Sequence, residues 1–253
     1  MPRVAVEERV AGTVLTAMSP QAKPQILSTR PDHGHAGARR QRDMLPSMGA
    51  TSAGAESQPR IARFTVDQVE GMLEAGILPD GAPIELIDGV LVYKDRSDSG
   101  EDPMTIGKKH NLAVQLLKEL DPELRSRGAS MQTQGPVRIR PHDEPEPDGA
   151  ILRGQPRDYA ERVPDAADVY GVIEVSDSSL EYDRTTKLAM YARAAIAQYV
   201  IIDLRHDCVE VHERPARSEA RYESLTVLRR GDVIAFCAGS GPRLEVDIAR
   251  LLP

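Results

Sequence analysis

The sequence predicts an α/β protein, a mixed β-sheet with helices on its faces, preceded by a disordered N-terminal tail. Three observations carry this. Segments of period 3.6 and period 2 follow one another in the order α, β-hairpin, α, several β, α, several β. An Asp-Gly pair stands between two apolar runs, Ile84–Ile87 and Val90–Tyr93, which is a strong short-range hairpin signal. Of the 253 residues, 40% are hydrophobic and 28% charged, which supports a packed core and excludes a fully disordered, collagen-like or coiled-coil chain.

Up to Pro59 there is no Phe, Tyr or Trp, and Pro, Gly, Ser, Ala and Arg abound without sustained apolar periodicity. Residues 1–59 therefore read as a disordered tail, or else as an over-long reading frame whose true start is Met44 or Met48. The apolar run Ala11–Met18 is short, interrupted by polar residues and preceded by Glu7 and Glu8, which does not suit a signal peptide. Residues 60–253 are one domain by length. Thr65 is placed to cap a helix over Val66–Ala75, with Val66, Val69, Met72 and Leu73 at helical spacing. After the hairpin and a polar loop, Ile106–Leu120 sets Ala113, Val114, Leu117 and Leu120 on one helical face. Met131–Gln134 and Val137–Arg140 look extended, with Gly135-Pro136 breaking the run between them. Asp148–Leu152 and Asp168–Ser176 are further strands. Glu181–Ala195 reads as a helix burying Leu188, Tyr191, Ala192 and Ala195. Gln198–Leu204 is a near-continuous apolar strand, and Cys208–Glu213, Tyr222–Leu228 and Val233–Phe236 are shorter ones.

Charge and motif content narrow the function classes. The chain carries 32 basic and 39 acidic residues; residues 60–253 hold 25 and 34, a net charge of −9. This argues against holding nucleic acid on a broad basic surface, so phosphate chemistry would need a local cationic spot. No apolar stretch is long enough to span a bilayer. Cys208 and Cys237 form neither a CxxC nor a Cys/His ligand pattern, and a reducing cytoplasm is the expected location. No phosphate-cradling GxxxxGK[ST] or GxGxxG loop and no GxSxG elbow is present. Lys108-Lys109 suits either a phosphate or solvent, and Asp143-Glu144-Pro145-Glu146 reads as a solvated acidic loop.

Three carboxylates break the rules of their own strands. Glu85 shares a face with Ile87, Asp148 with Ala150 and Leu152, and Glu174 with Tyr170 and Val172, where an isolated charge costs several kcal/mol of desolvation. Each alone suits a satisfied structural acid. If the three converge, they repel one another unless a divalent cation or a Lys or Arg lies among them. Lys187 supplies a candidate, one helical turn after Asp183 and one before Tyr191, although an exposed Asp183–Lys187 pair is the commoner arrangement. His110 lies on the apolar side of its helix, suited equally to packing and to a site.

Taken in order, Ile84-Glu85-Leu86-Ile87-Asp88-Gly89, His110 opening a helix, Pro147-Asp148, Glu174-Val175-Ser176, Tyr182 to Lys187 through Met190-Tyr191, and Gln198 to Asp203 resemble the Uma-two family of restriction endonucleases. The resemblance runs from about Phe64 to about Glu213 and leaves the tail aside. It implies a restriction-endonuclease-like central mixed sheet flanked by helices, in the PD-(D/E)xK nuclease superfamily. It also implies Mg²⁺ or Mn²⁺ held by Glu85, Asp148 and Glu174, with the Val175 carbonyl as a further oxygen, and DNA as substrate. Asp148, Glu174, Lys187 and Glu85 would be catalytic; His110, Ser176 and Asp183 would contact substrate or support them. The superfamily places its lysine two residues after the strand Glu, where this chain has Ser176, and Lys187 on the following helix matches the family's displaced lysine. Pairing into a homodimer is implied only by analogy with nucleases of this fold.

Two further classes compete. A nuclease-fold module without catalysis, serving binding or regulation, is favoured by the acidic charge and by Ser176. A carboxylate-pair glycosidase is disfavoured by the absence of Trp and the presence of only 2 Phe.

Overall fold

The computed structural model describes residues 61–79, 81–94, 107–239 and 241–253. The expected tail, residues 1–59, and Ile106 at the start of the second expected helix lie outside this set.

Helix α1, Val66–Glu74, begins at Thr65, whose hydroxyl accepts from the Gln68 N–H while the Gln68 side chain accepts from the Thr65 N–H. That reciprocal pair satisfies two otherwise orphaned donors. Strands β1, Ile84–Ile87, and β2, Val90–Tyr93, pair antiparallel around Asp88 and Gly89, both at positive φ (50° and 73°). Two left-handed residues match the twist of the flanking strands, which is why Asp-Gly closes this turn. Helix α2 spans Lys108–Lys118 and buries His110, Ala113, Val114 and Leu117; a short helix α3, Asp121–Arg125, follows.

Among the described residues the main sheet has six strands: β3 (Ala129–Gln132), β4 (Gly149–Arg153), β5 (Val169–Ser176), β6 (Gln198–Asp203), β7 (Cys208–Ala216) and β8 (Arg221–Leu228), in that spatial order. Only β5 and β6 run parallel; every other neighbour is antiparallel. Parallel neighbours need a crossover, and the chain makes it through one helical segment: α4 (Leu180–Tyr182), a π-helical turn (Asp183–Lys187) and α5 (Leu188–Arg193). Strands β9 (Val233–Phe236) and β10 (Leu244–Asp247) form a separate two-stranded ribbon.

Side-chain alternation divides the core between the two sheet faces. One face, with Ile173, Val175, Val200 and Ile202, packs on Ala113, Leu117 and Leu124 and on Phe236, Leu244 and Val246. The other, with Ala150, Val172 and Ile201, packs on Met190, Tyr191 and Ile196 of the crossover and on Ile87 of the hairpin. The acid-bearing hairpin and the lysine-bearing helix thus cover the same face, which carries Glu174.

Several expectations are corrected. Val137–Arg140 forms no strand; it is tied by isolated bridges, Ile139 to Asp143 and Arg138 to Asp165. The register of β4 on β5 shifts from Ile151↔Gly171 to Leu152↔Val169, skipping Tyr170. This bulge turns Tyr170 toward the opposite core, so Glu174 shares its face with Val172 and not with Tyr170. Ala195 is not on the buried face; it is exposed at positive φ (59°), where the chain leaves the helix.

Candidate active site

Strand register brings the acids together. Gly149 pairs with Ile173, so one residue further along β4 and β5 Asp148 lies alongside Glu174. Asp148 Oδ2 accepts from the Val175 N–H at 2.9 Å and lies 3.2 Å from His110 Nε2. α2 therefore reaches the sheet end with His110, while its apolar stripe stays in the core.

Glu85 arrives from the hairpin. Its Oε1 accepts from the Glu146 N–H at 2.7 Å and lies 3.5 Å from Lys187 Nζ. Glu174 Oε1 accepts from Lys187 Nζ and from the Tyr191 hydroxyl, both at 2.9 Å. The ammonium thus stands between two carboxylates, and Lys187, Glu85, Asp148 and Glu174 are all buried, with 3–8% of their surface exposed. Asp183 is not the primary partner of Lys187. Its Oδ2 accepts from the hydroxyls of Ser176 and Ser179, at 2.5 and 2.7 Å.

The π turn accounts for this arrangement. The Leu188 N–H reaches the Asp183 carbonyl five residues back, and the Tyr199 hydroxyl donates to the same carbonyl at 3.0 Å. A widened turn changes the angle between successive side chains, and such insertions recur at functional sites. Here Asp183 faces the Ser176 end of β5, while Lys187 and Tyr191 both meet Glu174.

Burial dominates the electrostatics. It pushes the Glu174 carboxyl up to about 8; Lys187 opposes the shift, and Asp183, Asp148 and Glu85 reinforce it. Burial alone would lower the Lys187 ammonium, but Glu174, Glu85 and Asp183 outweigh it and hold that pKa above its ordinary value. Asp183 is also raised, by burial first, against Lys187 and the two serine hydroxyls.

All seven sequence-singled residues (Glu85, His110, Asp148, Glu174, Ser176, Asp183 and Lys187) meet in this one region. Among the described residues, no three His, Cys, Asp or Glu side chains stand ready to hold a metal ion together. The donors nonetheless suit a hard divalent ion chemically: Glu85 and Glu174 share one ammonium and Asp148 is buried beside them, which leaves excess negative charge when all three are ionised.

A neighbouring polar cluster went unremarked in the sequence. Glu210 of β7 and Asp203 at the end of β6 are buried, and both are paired with Arg184 of the π turn. Glu210, between Val209 and Val211, breaks its strand pattern as Glu174 does, and that signal was available. Its arginine neighbour gives it a structural partner of its own.

The architecture defines a class first: a restriction-endonuclease-like α/β protein, with a mixed sheet flanked by helices. The family described as "Putative restriction endonuclease" (Uma2) matches residues 72–248, and the chain belongs to that family. Among solved structures it is similar to a putative nuclease belonging to DUF820 from Anabaena variabilis ATCC 29413. The two share 18% identity with a TM-score of 0.51, over 70% of this chain and 94% of that one, a likeness of fold. No curated protein matches the chain. No helix among the described residues is long and apolar enough to cross a membrane.

Proposed function

We propose that this site hydrolyses phosphodiester bonds in DNA as a PD-(D/E)xK-type endonuclease, with Mg²⁺ or Mn²⁺ as cofactor. The observation that supports it is the burial of Glu85, Glu174 and Lys187 in direct contact, with Asp148 beside them, in a chain of a restriction endonuclease family. Glu85, Asp148 and Glu174 would hold the ion, with the Val175 carbonyl as a further oxygen. When bound, a divalent ion lowers the pKa of a water and neutralises charge developing on the phosphate.

The chain's own groups do the positioning. Tyr191 and Lys187 fix the Glu174 carboxylate from one side, and His110 and the Val175 N–H fix Asp148. Lys187 brings its ammonium from the crossover helix, where it orients the attacking water or meets charge on the phosphate. Uncatalysed phosphodiester cleavage is so slow that the site must supply on the order of 20 kcal/mol. The test is plasmid nicking by the full chain with Mg²⁺ or Mn²⁺. Asp148→Ala and Lys187→Ala are each expected to lose about 100-fold or more; full cleavage by both variants would refute the assignment.

A second reading, a nuclease-fold module without hydrolysis, draws on the Lys187 pairs, which already give Glu85 and Glu174 a cationic partner and so offset part of their charge without any added ion. Calorimetry separates the two. An intact fold that takes up no divalent ion at roughly millimolar metal decides for the second.

A further inference from the structure

Lys108 and Lys109 open α2 immediately before His110, and both are exposed. Their surroundings assemble from three other parts of the chain. Asp177, the residue after Ser176, lies against the start of α2: a Cβ on Gly107 would stand 3.8 Å from Asp177 Oδ2. Arg205, two residues after buried Asp203, reaches Asp177 at 3.6 Å. In the same β6–β7 turn, Asp207 holds Arg230 at 3.0 and 3.1 Å, and its carboxyl is lowered by Arg230 first, then also by Lys109 and Arg229. Arg229 follows the end of β8 and donates to the His206 carbonyl at 3.2 Å. Among the described residues, Lys108, Lys109 and Arg229 have no carboxylate within salt-bridge distance.

Among the described residues, these five exposed cations stand with three exposed carboxylates, Asp177, Asp207 and Asp232, the last accepting from the Arg229 N–H at 2.8 Å, whereas the chain as a whole has 32 basic against 39 acidic residues. Among those residues the positive charge is in local excess. It lies at the sheet end that carries Asp148 and Ser176, because Lys109 precedes His110 and Asp177 follows Ser176.

We propose that Lys108, Lys109, Arg205, Arg229 and Arg230 form the rim that holds the phosphate backbone of duplex DNA beside the site. The inference rests on the hydrolytic reading above for its partner. A polyanion approaching an acidic domain is repelled at long range, so its contacts must be short-range and salt-sensitive. Each phosphate neutralised by a lysine or arginine contributes about 0.9 to the slope of log affinity against log salt. The rim adds what the acids lack, a way to draw the backbone toward a cluster of like charge.

The test is fluorescence anisotropy of the full chain on a labelled DNA duplex in EDTA, across a potassium chloride series. Lys109→Gln/Arg229→Gln/Arg230→Gln is compared with a distant control, Lys118→Gln/Arg217→Gln. The rim variant should bind at least about tenfold more weakly at low salt, with a slope shallower by about 2–3; the control should match wild type. Arg230 also holds the Pro253 carbonyl, so Lys108→Gln/Lys109→Gln, which removes no ion pair, is the second variant and should lower the slope by about 1–2. Unchanged affinity and slope in both rim variants, with wild type binding, would overturn the rim alone. Rim-dependent binding without cleavage in Mg²⁺ keeps the rim and overturns hydrolysis. A wild-type chain that binds no duplex overturns both.

Discussion

Ser176 sits two residues after Glu174 on β5, and its hydroxyl goes to Asp183, the first residue of the turn that carries Lys187. It acts on the ammonium through that turn. Ser176→Ala should lower nicking about 10- to 100-fold, as loss of a supporting hydrogen bond around a metal site does, with recovery in Ser176→Thr. Lys187→Met is more severe for folding. It strands Glu174 and Glu85 without their cation, and losing one partner of a buried pair costs about 3–5 kcal/mol; chemical denaturation in a chelator measures it. The sign of the pH effect follows from Glu174. The unfolded chain gives up that proton in the ordinary carboxylate range, the folded chain only at about 8. Between those values the folded state binds more protons, so stability falls as pH rises; Asp183, also raised, acts in the same direction. Melting temperatures in EDTA from about pH 5 to about 8 should decline in wild type and decline less in Glu174→Gln.

At the scale of elements, the hairpin that delivers Glu85 depends on Gly89. Its φ is 73°, and a Cβ there would stand 2.5 Å from the Arg63 Cβ. Gly89→Ala should cost about 1–3 kcal/mol, read as a lowered denaturation midpoint. Elements with strong local signals were legible in the sequence: the N-cap at Thr65, the Asp-Gly turn, and the near-continuous apolar strand β6. The clustering of the acids was only half legible: strand alternation marked Glu85, Asp148 and Glu174 as buried charges needing partners, but only the family resemblance brought them to one site. The π turn was not legible, because its Asp183–Lys187 spacing looks like an ordinary helical pair and the insertion shows only in the folded backbone, where the Leu188 N–H reaches the Asp183 carbonyl. The Tyr170 bulge was hidden for a similar reason: alternation along one strand says nothing of a slip against its neighbour. β10 was missed because four residues, two of them charged, give too short a pattern.

For the molecule as a whole, the C-terminal segment closes one of the two core faces. Leu244, Val246, Ile248, Leu251 and Leu252 are all exposed by 2% or less. At about 1.5–3 kcal/mol per buried aliphatic side chain, their burial is worth on the order of 10 kcal/mol, comparable with the roughly 5–15 kcal/mol total stability of a domain. A chain ended after Gly241 should therefore lose its cooperative thermal transition, as scanning calorimetry would show. The acids and Lys187 share the opposite face with the crossover helix, so each face has its own work: one mostly seals the core, while the other also houses polar chemistry.

The tyrosines add an experimental handle. Tyr191 donates to Glu174 and lies 5.0 Å, centroid to centroid, from Tyr199, which stacks in turn near His212 and Tyr222. The chain has 7 Tyr and no Trp. Its ultraviolet emission is consequently phenolic, with no indole to mask it, and one emitter is bonded to the carboxylate at the heart of the cluster. The difference in phenolic emission between wild type and Tyr191→Phe, followed through a titration of the unlabelled protein, therefore isolates the one tyrosine bonded to that carboxylate.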